Sequence, residues 1–138
     1  MIENKPRLLI AFNGADSVEP LDYVHPYARK DIEKILERLP EHVEMIIVYG
    51  SSLRDFMRDD SDIDLATISP HQYWYLPKNL GYKWETEREL DIKNFSSYDD
   101  LISQAEGGFP TPKAILEEGL LVFKKNRRVS LIEVREPD

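Results

Sequence analysis

Two short apolar runs, each followed by small turn residues, stand out along the chain. Residues 44–49 form a continuous β-branched run that stops at a Gly-Ser-Ser turn, and residues 61–68 alternate apolar and polar positions. Both patterns predict strands. A third strand is predicted at residues 86–95, where apolar residues alternate with charged ones. Shorter strands are predicted at residues 7–12, 120–124 and 129–134, with the last two forming a hairpin.

Helical spacing of apolar residues appears between these strands. Residues 27–39 carry apolar side chains at intervals of three to five, which predicts an amphipathic helix closed by Pro40. Further helices are predicted at residues 52–57, 98–105 and 112–118. Strands and helices therefore mix along the chain, and the order predicts an α+β fold with a central mixed β-sheet flanked by helices.

Length and charge narrow the class of protein. The 138 residues suit a single domain, and a net charge of −8 disfavours general nucleic-acid binding, which depends on Lys and Arg. The chain has no cysteine, and its N-terminus lacks the pattern of a signal peptide. No apolar stretch has the length of a membrane span. We expect a soluble, cytoplasmic protein that does not bind membranes.

The turn after the predicted strand at residues 44–49 is the first candidate for chemistry. Gly50 and Ser51 follow the buried strand directly. A Gly-Ser turn lets the backbone approach a ligand closely, and its free N–H groups attract phosphate. Taken alone, the same residues also suit an ordinary turn or helix cap.

Paired aspartates are the second candidate. Asp62 and Asp64 are two residues apart on a predicted strand, so both carboxylates face the same side of the sheet. Neighbouring ionised carboxylates either share a proton or bind a cation, and their hard oxygen atoms suit Mg²⁺. The alternative is a solvated strand face with no ligand.

The two candidates together form a more specific pattern. The Gly50-Ser51 turn, nine further residues and the Ser61-Asp62-Ile63-Asp64-Leu65 segment resemble the signature of the DNA polymerase β-like nucleotidyltransferase superfamily. The nearest resemblance is to the minimal nucleotidyltransferases, many of which are antitoxin partners of HEPN-domain toxins. Residues 90–92 match the later strand that carries a third carboxylate, and residues 115–123 match a closing segment of the family.

This resemblance implies a nucleotidyltransferase fold and a single domain over residues 1–138. Its core would cover about residues 27–125, with extra strands at residues 7–12 and 129–134 outside it. The resemblance also implies roles for individual residues. Asp62, Asp64 and Asp91 would be catalytic and would bind Mg²⁺, while Gly50, Ser51, Arg54 and Ser61 would bind the nucleotide.

The implied reaction transfers a nucleoside monophosphate, with ATP as the expected donor, to a protein or RNA acceptor and releases pyrophosphate. Two alternatives stay open at the level of sequence. Asp91 lies on an acidic strand face that also suits plain solvation, with Glu89 as the other candidate for a third carboxylate. The chain also suits an inactive binding module that neutralises a partner by contact. A HEPN-like protein or a second copy of the chain is the expected partner, and convergence of the three aspartates would favour the enzyme.

Overall fold

The structure is a computed structural model that describes residues 10–11, 20–53, 57–58, 60–125 and 131–132. Its strands are β1 (Ile10–Ala11), β2 (Met45–Tyr49), β3 (Ile63–Ile68), β4 (Leu90–Phe95), β5 (Leu120–Lys124) and β6 (Leu131–Ile132). Its α-helices are α1 (Pro26–Leu36), α2 (Pro77–Leu80), α3 (Tyr98–Glu106) and α4 (Pro110–Glu118). Two 3₁₀ turns, Pro20–Tyr23 and Gly50–Leu53, complete the described elements.

Four of the strands form a mixed sheet in the order β4-β3-β2-β5. Strand β2 pairs antiparallel with both β3 and β5, whereas β3 pairs parallel with β4. All five residues of β2 are buried because helices cover both faces of the sheet there. This mixed sheet with flanking helices confirms the α+β fold predicted from the sequence.

Side chains that alternate along β2 separate the core into two clusters. Ile46 and Val48 pack on one face of the sheet with Ile32 and Ile35 of α1. Residues of α3 and α4 pack on the other face, against side chains that include Ile47, Tyr49, Ala66 and Phe95. Because side chains alternate along a strand, the position of each residue in β2 and β3 decides which of the two clusters it joins.

The predicted hairpin at residues 120–124 and 129–134 is wrong. Strand β6 pairs antiparallel with β1, while β5 pairs with β2 in the other sheet. A local apolar pattern identifies a strand but not its partner, and here the partner is distant in sequence. Residues 126–128, between the two strands of the predicted hairpin, lie outside the described residues, as do most of the predicted strands at 7–12 and 129–134.

Several predicted elements have different boundaries. The strand expected at residues 86–95 begins at Leu90, the strand expected at 61–68 begins at Ile63, and the helix expected at 27–39 ends at Leu36. In place of a helix at residues 52–57, the structure has the Gly50–Leu53 turn, and residues 54–56 lie outside the described part. Helices α3 and α4 lie within two residues of their predicted positions.

Far from the paired aspartates, two histidines meet at the other end of the β2–β3 pair. His42 precedes β2 and His71 follows β3, and their rings pack edge to face with centroids 4.4 Å apart. The antiparallel register, which pairs Met45 with Ile68, brings these flanking residues together. Within the described ranges, no helix is long and apolar enough to cross a bilayer.

Candidate active site

The parallel pairing of β3 with β4 brings two of the predicted carboxylates together. Asp64 is the register partner of Asp91, so the two side chains leave the same face of the sheet beside each other. Asp62 lies two residues earlier, just before β3, and is exposed. Asp91, rather than the alternative Glu89, therefore stands opposite Asp64.

Like charges perturb the ionisation of this cluster. Burial raises the pKa of Asp64 above its ordinary value, and the negative charges of Asp91 and Asp62 raise it further, while Lys93 acts in the opposite direction. Tyr49 is the antiparallel register partner of Asp64. Burial, followed by the charges of Asp64 and Asp91, raises the pKa of Tyr49. The phenol therefore stays protonated at neutral pH and keeps a hydrogen to donate.

Gly50 is required by contact as well as by backbone conformation. Its φ is +73°, and a Cβ atom at this position would lie 2.6 Å from Oδ2 of Asp64, closer than real Cβ atoms come. Any side chain would therefore push the carboxylate away. The turn that starts here places Gly50 beside Asp64 and contains Ser51, whereas Arg54 lies outside the described residues.

The loop before Asp62 is held by backbone contacts. The hydroxyl of Ser61 accepts a hydrogen bond from the backbone N–H of Arg58 at 3.0 Å, which closes a tight turn. The Arg88 guanidinium donates to the carbonyl oxygens of Arg58 at 2.8 Å and Ser61 at 3.3 Å, and it lies 5.0 Å from the centroid of the Tyr27 ring. Ser61 and Arg88 thus fix the backbone that leads into Asp62.

Asp31 is a positioning residue that the sequence analysis missed. It lies in α1, is 1% exposed, and accepts hydrogen bonds at 3.0 Å from the backbone N–H groups of both Glu87 and Arg88. These bonds hold the segment before β4, which explains why the predicted strand starts late. A buried helical aspartate is the signal, since such a group needs a partner, but its partner is more than fifty residues away.

A family model described as Polymerase beta, Nucleotidyltransferase matches residues 30–128, which is more than half of the chain. The chain belongs to this nucleotidyltransferase family. No curated protein and no solved structure matches it. The family assignment confirms the resemblance found in the sequence and makes nucleotidyl transfer the general activity of the class. Membership of the minimal subgroup and a HEPN-type partner stay predictions.

Nucleotidyltransferases of this family typically use divalent metals, and the acidic edge of this one has suitable donors. Asp62 and Asp64 supply carboxylate oxygens, the ligands that Mg²⁺ prefers. Asp91 is already engaged, because Nζ of Lys93 lies 3.2 Å from its Oδ1. No group of three or more acidic or histidine side chains in the described part of the chain has the spacing of a metal site. The binding of Mg²⁺ by Asp62, Asp64 and Asp91 stays a prediction.

A cleft of the nucleotidyltransferase lies along β4, and none of the three carboxylates is among its lining residues. Its volume is about 450 Å³, and Lys93 forms part of its wall. The other lining residues come from β4, the loop after β3, α3 and α4, and they include Tyr75, Asn94, Gln104 and Thr111. Trp74 is not available to a ligand, because it is 2% exposed and its indole N–H donates to Thr67. Tyr73, in contrast, is exposed.

Proposed function

We propose that this protein transfers a nucleoside monophosphate from ATP to a hydroxyl group of a macromolecular acceptor in a Mg²⁺-dependent reaction. One observation carries the proposal: Asp64 faces Asp91 across β3 and β4 and lies against Gly50 of the Gly-Ser turn. The carboxylates and the phosphate-binding turn are thus adjacent, which an unrelated solvated strand face would not require.

Each residue has a defined task in this proposal. Asp62 and Asp64 hold Mg²⁺, which supplies positive charge to the triphosphate and its departing pyrophosphate. Backbone N–H groups at Gly50 and Ser51 bind phosphate oxygens. The carboxylate of Asp91 accepts the proton of the acceptor hydroxyl. The acceptor oxygen then forms a bond to the α-phosphorus while the bond to the β-phosphate breaks and pyrophosphate leaves.

The acceptor reaches the site through the cleft beside β4. Lys93 both borders this cleft and forms an ion pair with Asp91, so one side chain connects the wall of the cleft to the proposed proton acceptor. Replacing Thr111 by Trp would fill the cleft from α4. We expect this variant to lose transfer to the acceptor while its affinity for ATP stays within about twofold, because the phosphate-binding turn is unchanged.

The expected acceptor is a protein or an RNA, and a HEPN-type partner is the first protein to test. Transfer is followed with ATP labelled in the α-phosphate, because only that phosphate stays on the product. Label on a coexpressed HEPN-type protein would identify a protein acceptor, whereas label on RNA would identify a nucleic-acid end. Label from the γ-phosphate would instead indicate a kinase.

Binding is the direct test of the site. We expect a non-hydrolysable analogue, α,β-methylene-ATP, to bind in calorimetry only when Mg²⁺ is present. The Asp64→Asn variant should lose at least about tenfold in affinity. Asp60→Asn is the matched control, since Asp60 is an exposed aspartate close in sequence and its replacement removes the same charge. Equal loss in both variants, or Mg²⁺-independent binding, would refute the proposed site.

A further inference from the structure

Lys93 lies beside the proposed catalytic carboxylates, but the sequence analysis gives it no role. It follows Asp91 by two positions on β4, so both side chains leave the same face, and its register partner on β3 is Ala66. Its ammonium lies 3.2 Å from Oδ1 of Asp91, and both side chains are about half exposed, at 49% and 44%. The ammonium also acts electrostatically on Asp64. Lys93 is thus a cation fixed to the carboxylate cluster by the strand itself.

The position of Lys93 matters for the charge balance of the carboxylates. Asp64 and Asp91 are directly opposite each other on neighbouring strands, an arrangement of like charges that is unfavourable unless a cation lies nearby. Two-metal phosphoryl-transfer sites provide that compensation with two divalent ions, which share the carboxylates. Here one of the carboxylates already has a positive partner. A second divalent ion at Asp91 would have to displace the ammonium and would be repelled by it.

We infer that Lys93 replaces one of the two metal ions, so that the protein binds a single divalent ion through Asp62 and Asp64 while Lys93 serves Asp91. This inference rests on the proposed function, because it concerns the metal that accompanies the nucleotide. Lys93 is then a counterion, supplied by the chain itself, that holds the carboxylate of Asp91 through the ion pair. The neutral Ala66 beside Lys93 leaves the ammonium without a second acidic partner at its own register position.

The number of bound ions tests the inference without any measurement of catalysis. Mn²⁺ is titrated into the full chain with saturating α,β-methylene-ATP, and free Mn²⁺ is measured by electron paramagnetic resonance. We expect one tightly bound Mn²⁺ per protein–nucleotide complex in the wild type. Lys93→Met, which keeps the length of the side chain but removes its charge, should bind two, the second at least about tenfold more tightly than any second ion in the wild type.

Lys113→Met is the matched control, because Lys113 is exposed on α4, where its ammonium lies 4.0 Å from the carboxylate of the helix neighbour Glu117. It should bind one ion, as the wild type does. Circular dichroism checks that each variant is folded. Two ions in the wild type, or one ion in both the wild type and Lys93→Met, would overturn the role of Lys93 and leave the proposed function intact. Absence of any Mn²⁺–nucleotide binding in all variants would overturn the proposed function and this inference together.

Discussion

One end of the β2–β3 pair groups acidic side chains, and the other end groups histidines. At one end, Asp64 lies opposite Tyr49, with Asp62 and Asp91 nearby. At the other end, the His42 and His71 rings are in contact, and burial, His71 and Lys125 all lower the pKa of His42. Both ends therefore group side chains that would repel one another when charged.

The two ends avoid this repulsion in different ways. The lowered pKa of His42 favours its neutral form at physiological pH, so its ring can pack against that of His71, and Nε2 of His42 is buried with no hydrogen-bond partner among the described residues. Carboxylates have a much lower ordinary pKa and stay ionised in this range unless the shift is very large. The acidic end therefore needs a cation. A cluster of titratable residues therefore indicates a ligand site only when its members stay charged at physiological pH.

The largest expected effect comes from removing carboxylates at the acidic end. The Asp62→Ala, Asp64→Ala double variant should lose at least about 100-fold in affinity for Mg²⁺ with α,β-methylene-ATP, since both proposed metal ligands are removed. The His42→Gln, His71→Gln double variant changes the opposite end and should stay within about twofold of the wild type. Calorimetry measures both. A large loss in the histidine variant would show that the two ends do not act separately.

The next effect tests whether α1 fixes the geometry of the acidic end. Asp31→Asn replaces one carboxylate oxygen by an NH₂ group, which cannot accept a hydrogen bond from Glu87 or Arg88. We expect the free energy of unfolding to fall by about 2 kcal/mol in urea titrations, because a buried N–H group loses its charged partner. Nucleotide affinity should fall as well, since the segment leading to Asp91 is released.

Asp22→Asn is the control for this variant. Asp22 is 60% exposed and lies 3.9 Å from Arg29, so its replacement should change stability by less than about 0.5 kcal/mol. Similar stability of the Asp31 and Asp22 variants would mean that the two backbone hydrogen bonds do not hold the start of β4.

A smaller effect separates backbone strain from contact at the acidic end. Gly50 and Gly81 have φ of +73° and +79°, but only a Cβ atom at position 50 would meet Asp64, whereas none of the surrounding atoms lies within 4 Å at position 81. Replacing either glycine by Ala should cost about 1–2 kcal/mol of stability, because the left-handed conformation is retained. Only Gly50→Ala should also weaken Mg²⁺–nucleotide binding, by about tenfold. Equal binding by the two variants would contradict the close approach to Asp64.

The smallest expected effect is a difference between the two ends in how stability depends on pH. The pKa of Asp64 is raised in the folded state, so the folded protein without metal gains stability from this group as pH falls through that pKa. The pKa of His42 is lowered, so the protein loses stability as pH falls below about 6.5, the ordinary value for histidine. The two ends should therefore change the free energy of unfolding in opposite directions as pH falls, each by less than about 1 kcal/mol after solvent screening.

Urea titrations of metal-free protein between pH 3.5 and 8 resolve these slopes. Asp64→Asn should be more stable than the wild type at pH 7 and equal to it below the ordinary carboxyl pKa. His42→Gln should lack the loss of stability below pH 6.5 that the wild type shows. If the pH profile of a variant matches that of the wild type, the replaced residue does not cause the pH dependence of stability. Affinity for Mg²⁺ should fall in acid, because protons compete for Asp64.

Local sequence patterns predicted much of the fold and part of the site. The continuous apolar run of β2 and the alternation of β3 were sufficient to locate both strands. The two-residue spacing predicted that Asp62 and Asp64 share one side, and the charge of Asp62 does act on Asp64. The pairing of β6 with β1 was not predicted, since strand partners depend on long-range packing. The contact between His42 and His71 was missed for the same reason, because only the β2–β3 register brings them together.

The contribution of Lys93 shows a different limit of sequence reasoning. An alternating strand with Glu89, Asp91 and Lys93 on one side is typical of a solvated face, and nothing in that pattern distinguishes a surface ion pair from a functional counterion. The distinction comes from the neighbouring strand, which places Asp64 opposite Asp91. The charge environment of a strand residue is therefore a property of the sheet and not of its own segment.

The anchoring of Glu87 and Arg88 by Asp31 has a consequence for insertions and deletions. The distance along the chain from Arg88 to Asp91 is fixed at three residues, and the strand period is two. Removing or adding one residue between them would turn Asp91 and Lys93 to the opposite face, where Trp74, Trp84 and α1 form an apolar core. Homologous chains that keep the aspartate in α1 should therefore vary in residue type across this short segment but keep its length.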